Sequence, residues 1–419
     1  MADERTTPGI LDEVNVLDMS WVAAGPLCGV LFAYYGATVV KVESAVRVDL
    51  ARGSPPNAPG GPGINKSSYY GAANLGKYNL CLDLNNARGR EVVDRLVDWA
   101  DIVIEGFTPG TMARWGLDYE SLRNRKPDII MLSLTLQGQT GPHATLRGYG
   151  LQVQGMSGMS SLIGWPDGPP TGVTLAYPDY VVPMFAAYAT IAALDHRDRT
   201  GEGQHIDVSQ MEALTNMTGP AMLDYVVNDR VQLREGNRLM AGDSPATAPH
   251  GVYPTKGNDR WIAIAAFSQE EWQAICRVLG RDDWLSDPRF AGEADRCQND
   301  AELDAVIAEE TRKFEGRPLM EQLQTAGVAA GVVLDQEQLF ADPQLIHRGH
   351  FVPVVHGDWG DYQAELFGVR LSETPPVVQR PAPCIAEHNE FVLREILGYP
   401  QEDVDQLVAD GAVEFYGGD

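Results

Sequence analysis

Cysteine is sparse and scattered, with five residues in 419, an odd number, and no CxxC pair. That excludes a disulfide framework and a Cys-based structural zinc site. The eight histidines do not cluster either; His347 and His350 stand three apart with no second pair beside them. They read as solvent-facing loop histidines, and no metal is expected. Positive charge is short as well: 32 basic against 58 acidic residues leave a formal net charge of -26. Nucleic acid requires clustered Lys and Arg, so it is not the expected partner, and an anionic membrane surface is disfavoured for the same reason. The acidity reads as solubility. No apolar run is long: Val181 to Leu194 falls short of the ~20 residues that a membrane span needs. The opening MADERTTPG is polar and charged, not a signal peptide, and a reducing cytoplasm is the expected setting. Common fingerprints are missing too: no GxGxxG after the first strand, no GxxxxGK[ST], no GxSxG.

What is present is a soluble, globular composition, 44% hydrophobic and 21% charged, in a chain long enough for two or three domains. The first third alternates strand and helix signals. Asn15 to Ser20 reads as a buried strand, Gly25-Pro26 opens an apolar helix to Tyr35, and Gly36 ends it before the β-branched strand Ala37 to Glu43. Strands at 79–84, 101–105 and 129–135 and a helix at 87–99 continue the pattern. Such alternation predicts an α/β fold with a doubly wound parallel sheet, covered on both faces, whose ligands sit beyond the carboxyl ends of the strands. The stretch 44–68, dense in Pro, Gly and Asn, reads as a functional or disordered loop. From Tyr253 the texture changes to a compact α+β unit. The expected organisation is a Rossmann-like large domain over 1–225, a linker at 226–247, a small inserted domain at 248–338, and a return to the large domain over 339–419.

One segment carries chemistry: Gly172-Val-Thr-Leu-Ala-Tyr-Pro-Asp179-Tyr, followed by an apolar helix to Leu194. An Asp just ahead of a helix is commonly a cap for free backbone N–H groups. The same position keeps a carboxylate ionised, which is what a covalent acyl carrier requires. Pro183 is awkward for a helix starting at Asp179, so the regular helix is expected a few residues later.

That segment resembles the class III CoA-transferases, the group that includes formyl-CoA:oxalate and carnitine CoA-transferases. The likeness runs along nearly the whole chain. It takes in Val16-Leu-Asp-Met-Ser20 with Ala24-Gly-Pro26, Gly36 to Glu43, Gly76-Lys77 and Phe107-Thr-Pro-Gly110 with Arg114. It continues through Gly138 to Pro142, Gln154 to Gly158, Thr200-Gly-Glu-Gly-Gln204, Pro249 to Tyr253 and Arg380-Pro-Ala-Pro383. The resemblance implies that Asp179 attacks the donor thioester and carries the acyl group, then CoA, through an anhydride and an aspartyl thioester. It implies that Lys41, Lys77, Phe107 and Arg114 border the nucleotide of a coenzyme A thioester substrate, with Arg47 and Arg52 as weaker candidates. Backbone N–H groups must stabilise the tetrahedral oxyanions, and Gly155 to Gly158 are candidates for exposing them. No tightly bound cofactor is implied. Two departures stand out. No run of glycines occurs at 236–243 or 256–258, where some members carry a lid, and Gly106 follows Glu105 where Asn is common.

Two alternatives stay open beside the transferase. An α-methylacyl-CoA racemase shares the fold, but it needs a second acid–base group, and Tyr149 takes the place of the racemase His. The other is one subunit of a heteromeric transferase. Trp21, Tyr149, Trp165 and Tyr177 point to a bulky or aromatic acceptor acid, and the segment is similar to succinyl-CoA-dependent benzylsuccinate CoA-transferases. The resemblance also implies an interlocked dimer, either a homodimer or a heterodimer with a related chain.

Overall fold

The computed structural model of the chain describes residues 8–173, 176–242 and 244–417. The polar opening up to Thr7, Thr174 and Leu175 ahead of Asp179, Asp243 in the region searched for a lid, and the last two residues lie outside the described residues. Backbone contacts divide the chain into two compact units. The first joins everything up to Met159 with Gly172–Asp229 and the chain from Gln344 onward; the second holds Ser160–Thr171 and Arg230–Pro343.

Six parallel strands form the centre of the first unit: β1 (Asn15–Asp18), β2 (Thr38–Glu43), β3 (Tyr78–Cys81), β4 (Ile102–Glu105), β5 (Ile130–Thr135) and β6 (His205–Ser209). Their order is β3-β2-β1-β4-β5-β6, so the winding direction reverses between β1 and β4. The α/β doubly wound sheet expected from the sequence is therefore present. Its helices include α1 (Ala24–Tyr34), α2 (Ala87–Trp99), α3 (Gly150–Met156), α4 (Tyr177–Thr200) and α5 (Gln210–Thr215). Successive strand residues face opposite layers. Leu17, Val40, Val103 and Met131 pack with Val92, Val93 and Leu96 of α2, whereas Val16, Val39, Ile102 and Ile130 pack with Phe32 of α1 and Ala186 and Ala193 of α4. The C-terminal segment completes the α2 layer with Val392, Leu393 and Leu407, and Glu414 N–H donates to the Cys81 carbonyl at the edge of β3.

Several local readings change. α4 begins at Tyr177, two residues before Asp179, so Asp179 lies in its first turn and does not cap it. Pro183 stays inside the helix. Lacking an N–H, it leaves the Asp179 carbonyl without its helical donor. The helix expected at 389–397 is a short turn, Asn389–Phe391, continued by a wider π-type turn, Val392–Ile396. A further helix, Gln401–Ala409, follows it.

The second unit carries a three-stranded antiparallel sheet of β7 (His250–Pro254), β8 (Trp261–Ala265) and β9 (Ala329–Val333), with β8 central. Helices Gln269–Leu279, Asp300–Thr311 and Gly316–Thr325 cover it, burying Trp272, Ile275, Leu303, Ile307 and Leu319. Most of the expected linker, from Arg230, belongs to this unit together with 160–171. The tie is local: Gly236 N–H donates to the Gly164 carbonyl at 2.9 Å, and the Trp165 ring packs on Gly236. Among the described residues no helix is long and apolar enough to cross a membrane.

Thr200-Gly-Glu-Gly-Gln204 delivers β6 to the sheet and separates two uses of glycine. Gly201 closes α4 at φ 75° with open space around it, whereas a Cβ on Gly203 would overlap the Ile129 carbonyl oxygen. Gly201→Ala should cost about 1 kcal/mol. Gly203→Ala should cost more, about 1–3 kcal/mol or beyond, because backbone must move. Thermal denaturation of both variants checks the ranking.

Candidate active site

A cleft of about 670 Å³ opens beyond the carboxyl ends of β1 to β4, where the winding direction reverses. Ligands of such sheets bind at this place. Its wall is aromatic: Phe107 meets Trp21 edge-on at 5.9 Å and Trp115 at 5.6 Å. Arg47, Arg114 and Arg147 reach its rim, and none of the three forms an ion pair among the described residues. Glu105, buried at the end of β4, fixes the turn that presents Phe107. It accepts the Phe107 N–H at 2.8 Å and the Gln139 amide at 2.9 Å. Burial pushes its carboxyl above the usual carboxylate range.

Lys41 and Lys77 do not reach this cleft. Both are fully buried. Lys77 Nζ donates to Asp18 at 2.7 Å, the Pro26 carbonyl at 2.7 Å and Asn74 Oδ1 at 2.9 Å. Lys41 Nζ donates to the Ser20 carbonyl at 2.6 Å and pairs with Asp49 at 3.2 Å. Both ammonium groups are buried against protein acceptors and neither lines the cleft, contrary to the expectation that they border a nucleotide. Burial acts to raise the pKa of Asp18, but Lys77 and then Lys41 outweigh it and hold that carboxyl below its ordinary range. Arg52 is likewise turned inward, onto Glu43 at 2.8 Å and over the Tyr70 ring at 3.8 Å. The solvent-facing cations at the cleft are the arginines Arg47, Arg114 and Arg147.

Asp179 is half-buried in the first turn of α4. Gln210, the first residue of α5, donates Nε2 to Asp179 Oδ1 at 2.8 Å. The other oxygen, Oδ2, lies beside Gly150, where an added Cβ would stand 3.1 Å away. Burial raises the pKa of Asp179 above its usual value, and the Gln210 hydrogen bond works against that rise. Tyr69 and Tyr180 sit within the field of its charge; burial first and Asp179 second push both phenols up. Tyr69 also feels Asp49, in the loop after β2, more weakly than it feels Asp179.

Of the other expected site residues, Trp21 and Phe107 share the cleft with Arg114. Tyr177 opens α4 two residues before Asp179, and Tyr149 precedes Gly150 but is 65% exposed. Trp165 belongs to the second unit. The N–H groups of Ser157 and Gly158 donate to the Val153 and Gly155 carbonyls, so they are not the exposed donors expected of that stretch. Sequence reasoning missed Arg147, Trp115, Tyr69 and Gln210. Arg147 stood two residues from a tyrosine already singled out; nothing in the spacing marked Gln210. Among the described residues no group of three potential ligands is placed to hold a metal.

The family model for CoA-transferase family III matches residues 11–389. A succinate–glutarate CoA-transferase of Agrobacterium fabrum is 36% identical over 398 residues, covering 94% of this chain and 98% of that protein. A succinyl-CoA–D-citramalate CoA-transferase of Chloroflexus aurantiacus is 32% identical, covering 98% and 99%. The crystal structure of a CAIB/BAIF family protein from Brucella suis superposes with a TM-score of 0.84 at 31% identity, covering 93% of this chain and 100% of that one.

The two sets of cations should separate on mutation. Arg114→Ala or Arg147→Ala should weaken coenzyme A binding roughly tenfold, the effect of one charged hydrogen bond, and leave the melting temperature in place. Lys77→Ala strips the partner from buried Asp18 and should destabilise the fold by about 3–5 kcal/mol. Calorimetric titration and thermal melts on the same preparations read both.

Proposed function

The chain belongs to CoA-transferase family III, and we propose that it moves coenzyme A from succinyl-CoA to a dicarboxylic acid through a covalent intermediate on Asp179. Transfer of CoA from an acyl-CoA to a carboxylate is the family's reaction; donor, acceptor and covalent route are the proposal. It rests on one observation above all: a half-buried carboxylate, in the first turn of a 24-residue helix, held among the described residues by one amide donor, Gln210.

A desolvated carboxylate is a stronger nucleophile than a hydrated one, and the positive end of the α4 dipole keeps it an anion. Asp179 adds to the thioester carbonyl; a C–O bond forms, the C–S bond breaks, and CoA leaves as thiolate. The thiolate then attacks the Asp179 carbonyl carbon and the donor acid departs, leaving an aspartyl thioester. The acceptor carboxylate reverses these two steps. No general base is required, because each nucleophile is already an anion. In the cleft, the Phe107 and Trp21 faces suit the adenine, and Arg47, Arg114 and Arg147 suit the phosphates. Arg147 and Gly150 are three residues apart, a reach of about 11 Å at most. The flexible arm of CoA can therefore bring its sulfur from the cleft to Asp179.

Succinyl-CoA as donor and a dicarboxylate as acceptor are supported by the relatives named for succinate–glutarate and citramalate transfer. Benzylsuccinate is the aromatic case of that class; Tyr177, two residues before Asp179, and Tyr149, next to Gly150, are what favours it. The racemase alternative needs a second acid–base side chain against the substrate α-carbon. Position 150, which lies on the carboxylate, has no side chain to offer.

For the oligomer we propose the dimer that the resemblance implies. In the first unit Met184, Phe185, Tyr188 and Ile191 of α4 are exposed, Tyr188 by 78%, together with Met222, Leu223, Tyr225, Val226 and Val227. Apolar surface so concentrated marks a protein interface.

Incubation with succinyl-CoA and hydroxylamine should leave a hydroxamate on Asp179, seen by peptide mass spectrometry and absent in Asp179→Ala. Absence of any adduct in the wild type sinks the covalent route. Because the attacking form is the anion and burial raises its pKa, kcat/KM should fall on acidification at a pH above the usual Asp range. Sedimentation should give twice the 45.7 kDa of one chain. A monomer that gains activity only with a second, related chain would assign it to a heteromer instead.

A further inference from the structure

Gln210 stands out among the groups around Asp179, and we infer that it is the oxyanion donor for the half of the reaction that occurs on Asp179 itself. This rests on the covalent route proposed above. The two carboxylate oxygens are not equivalent. Oδ1 accepts the Gln210 Nε2–H at 2.8 Å, whereas Oδ2 faces the bare Cα of Gly150. Among the described residues no donor holds Oδ2, so Oδ2 is the oxygen whose lone pairs are available to attack an acyl carbon, and Oδ1 becomes the carbonyl oxygen of the resulting anhydride.

When CoA thiolate adds to the Asp179 carbonyl carbon, an S–C bond forms and the π electrons move onto Oδ1. Collapse of that intermediate breaks the bond to Oδ2, which leaves with the donor acid as its carboxylate. In the second half the acceptor oxygen adds to the same carbon, charge again builds on Oδ1, and CoA thiolate leaves. Both tetrahedral intermediates thus place their charge on the atom that Gln210 already holds. A donor fixed where charge will develop, in a site poor in water, stabilises the transition state without having to reorganise. Among the described residues Asp179 forms no ion pair, so Gln210 does not share the task with a cation.

A second observation separates this role from packing. Gln210 is 2% exposed, and its Oε1 has no hydrogen-bond partner among the described residues. Thr135 Oγ1 is similarly bare at the end of β5, where Thr135 pairs with Ser209, the residue before Gln210. A buried amide with one end unpaired lowers stability, and an apolar side chain of equal length would remove that defect. The amide is held in place by the β6–α5 junction, where Ser209 Oγ accepts the Glu212 N–H at 3.2 Å. Such a side chain fits a site where the donor is needed for chemistry.

The test is rapid-quench mass spectrometry of the full chain mixed with succinyl-CoA and no acceptor, following the Asp179–CoA thioester. Gln210→Met should slow its appearance by about 10²–10³-fold, with an unchanged or higher melting temperature. An adduct rate within threefold of the wild type would overturn the inference. Gln210→Glu keeps the length and donates only when protonated. Its rate should recover on the acid side and disappear as pH rises; a profile parallel to the wild type overturns the inference even if the Met variant does not fold. Failure of the wild type to form any adduct would instead remove the covalent route on which this rests.

Discussion

Two ammonium groups and two carboxylates, Lys41, Lys77, Asp18 and Asp49, are sealed from solvent at the carboxyl ends of β1 and β2. Each ion taken out of water costs several kcal/mol or more, so such a group persists only when its hydrogen-bonding capacity is filled. Here it is filled from the backbone: Lys41 takes the Ser20 carbonyl, Lys77 the Pro26 carbonyl, and Asp49 accepts the Val22 N–H with both oxygens. The loop after β1 is thereby tied to β2, to the segment before β3, and to the start of α1. Val22 holds φ 69°, a conformation that a β-branched residue avoids and that costs about 1–3 kcal/mol. The Asp49 bonds keep it there. Trp21, the residue before it, is thus turned to the cleft against Phe107. The shape of the ligand site is a consequence of buried charge beneath it.

This arrangement explains what the sequence made legible. Five of the six strands could be read because they are largely apolar, and α2 because its polar and apolar positions alternate with helical period; β6, with His205 and Asp207 exposed, was not read. The lysines could not be read correctly. A Lys at a strand end looks the same in sequence whether it is solvated or sealed, and partners such as Asp18, 59 residues from Lys77 along the chain, decide. Arg52 misled in the same way, since its carboxylate, Glu43, lies on another element. Arg114 was legible because it lies on a short exposed helix with nothing acidic beside it. Asp179 was legible through resemblance, and its helix start was misplaced because Pro183 was given more weight than the favourable first turn. Gln210 lies 31 residues away along the chain, and no local pattern connects it to Asp179.

The acidic balance of the protein also takes on a structural meaning. A chain of net charge -26 that receives a polyanion must keep its few cations where the phosphates arrive. Guanidinium groups suit that better than ammonium groups: they stay charged, present several donors in a plane, and are weakly hydrated. In this chain lysine holds the loop from beneath and arginine lines the rim above it. The division is one of place: the buried lysines, like buried Arg52, meet protein acceptors, while Arg47, Arg114 and Arg147 line the rim.

On the proposed covalent route the Asp179 carboxylate is subject to an opposite pair of demands. It must be dry enough to attack a thioester and yet remain an anion, and dryness alone drives its pKa up. A buried cation would restore the anion but would also hold the carboxylate in a strong ion pair and blunt its attack. The structure offers weaker influences: the first-turn position on α4, one amide from Gln210, and a neighbouring glycine beside Oδ2. A dipole and a neutral donor lower the energy of the anion while leaving one oxygen without a partner. The same neutral donor is well matched to a later stage, when the charge returns as an oxyanion on Oδ1. A positively charged partner would have bound the resting carboxylate more tightly than the transition state required, and differential stabilisation would have been lost.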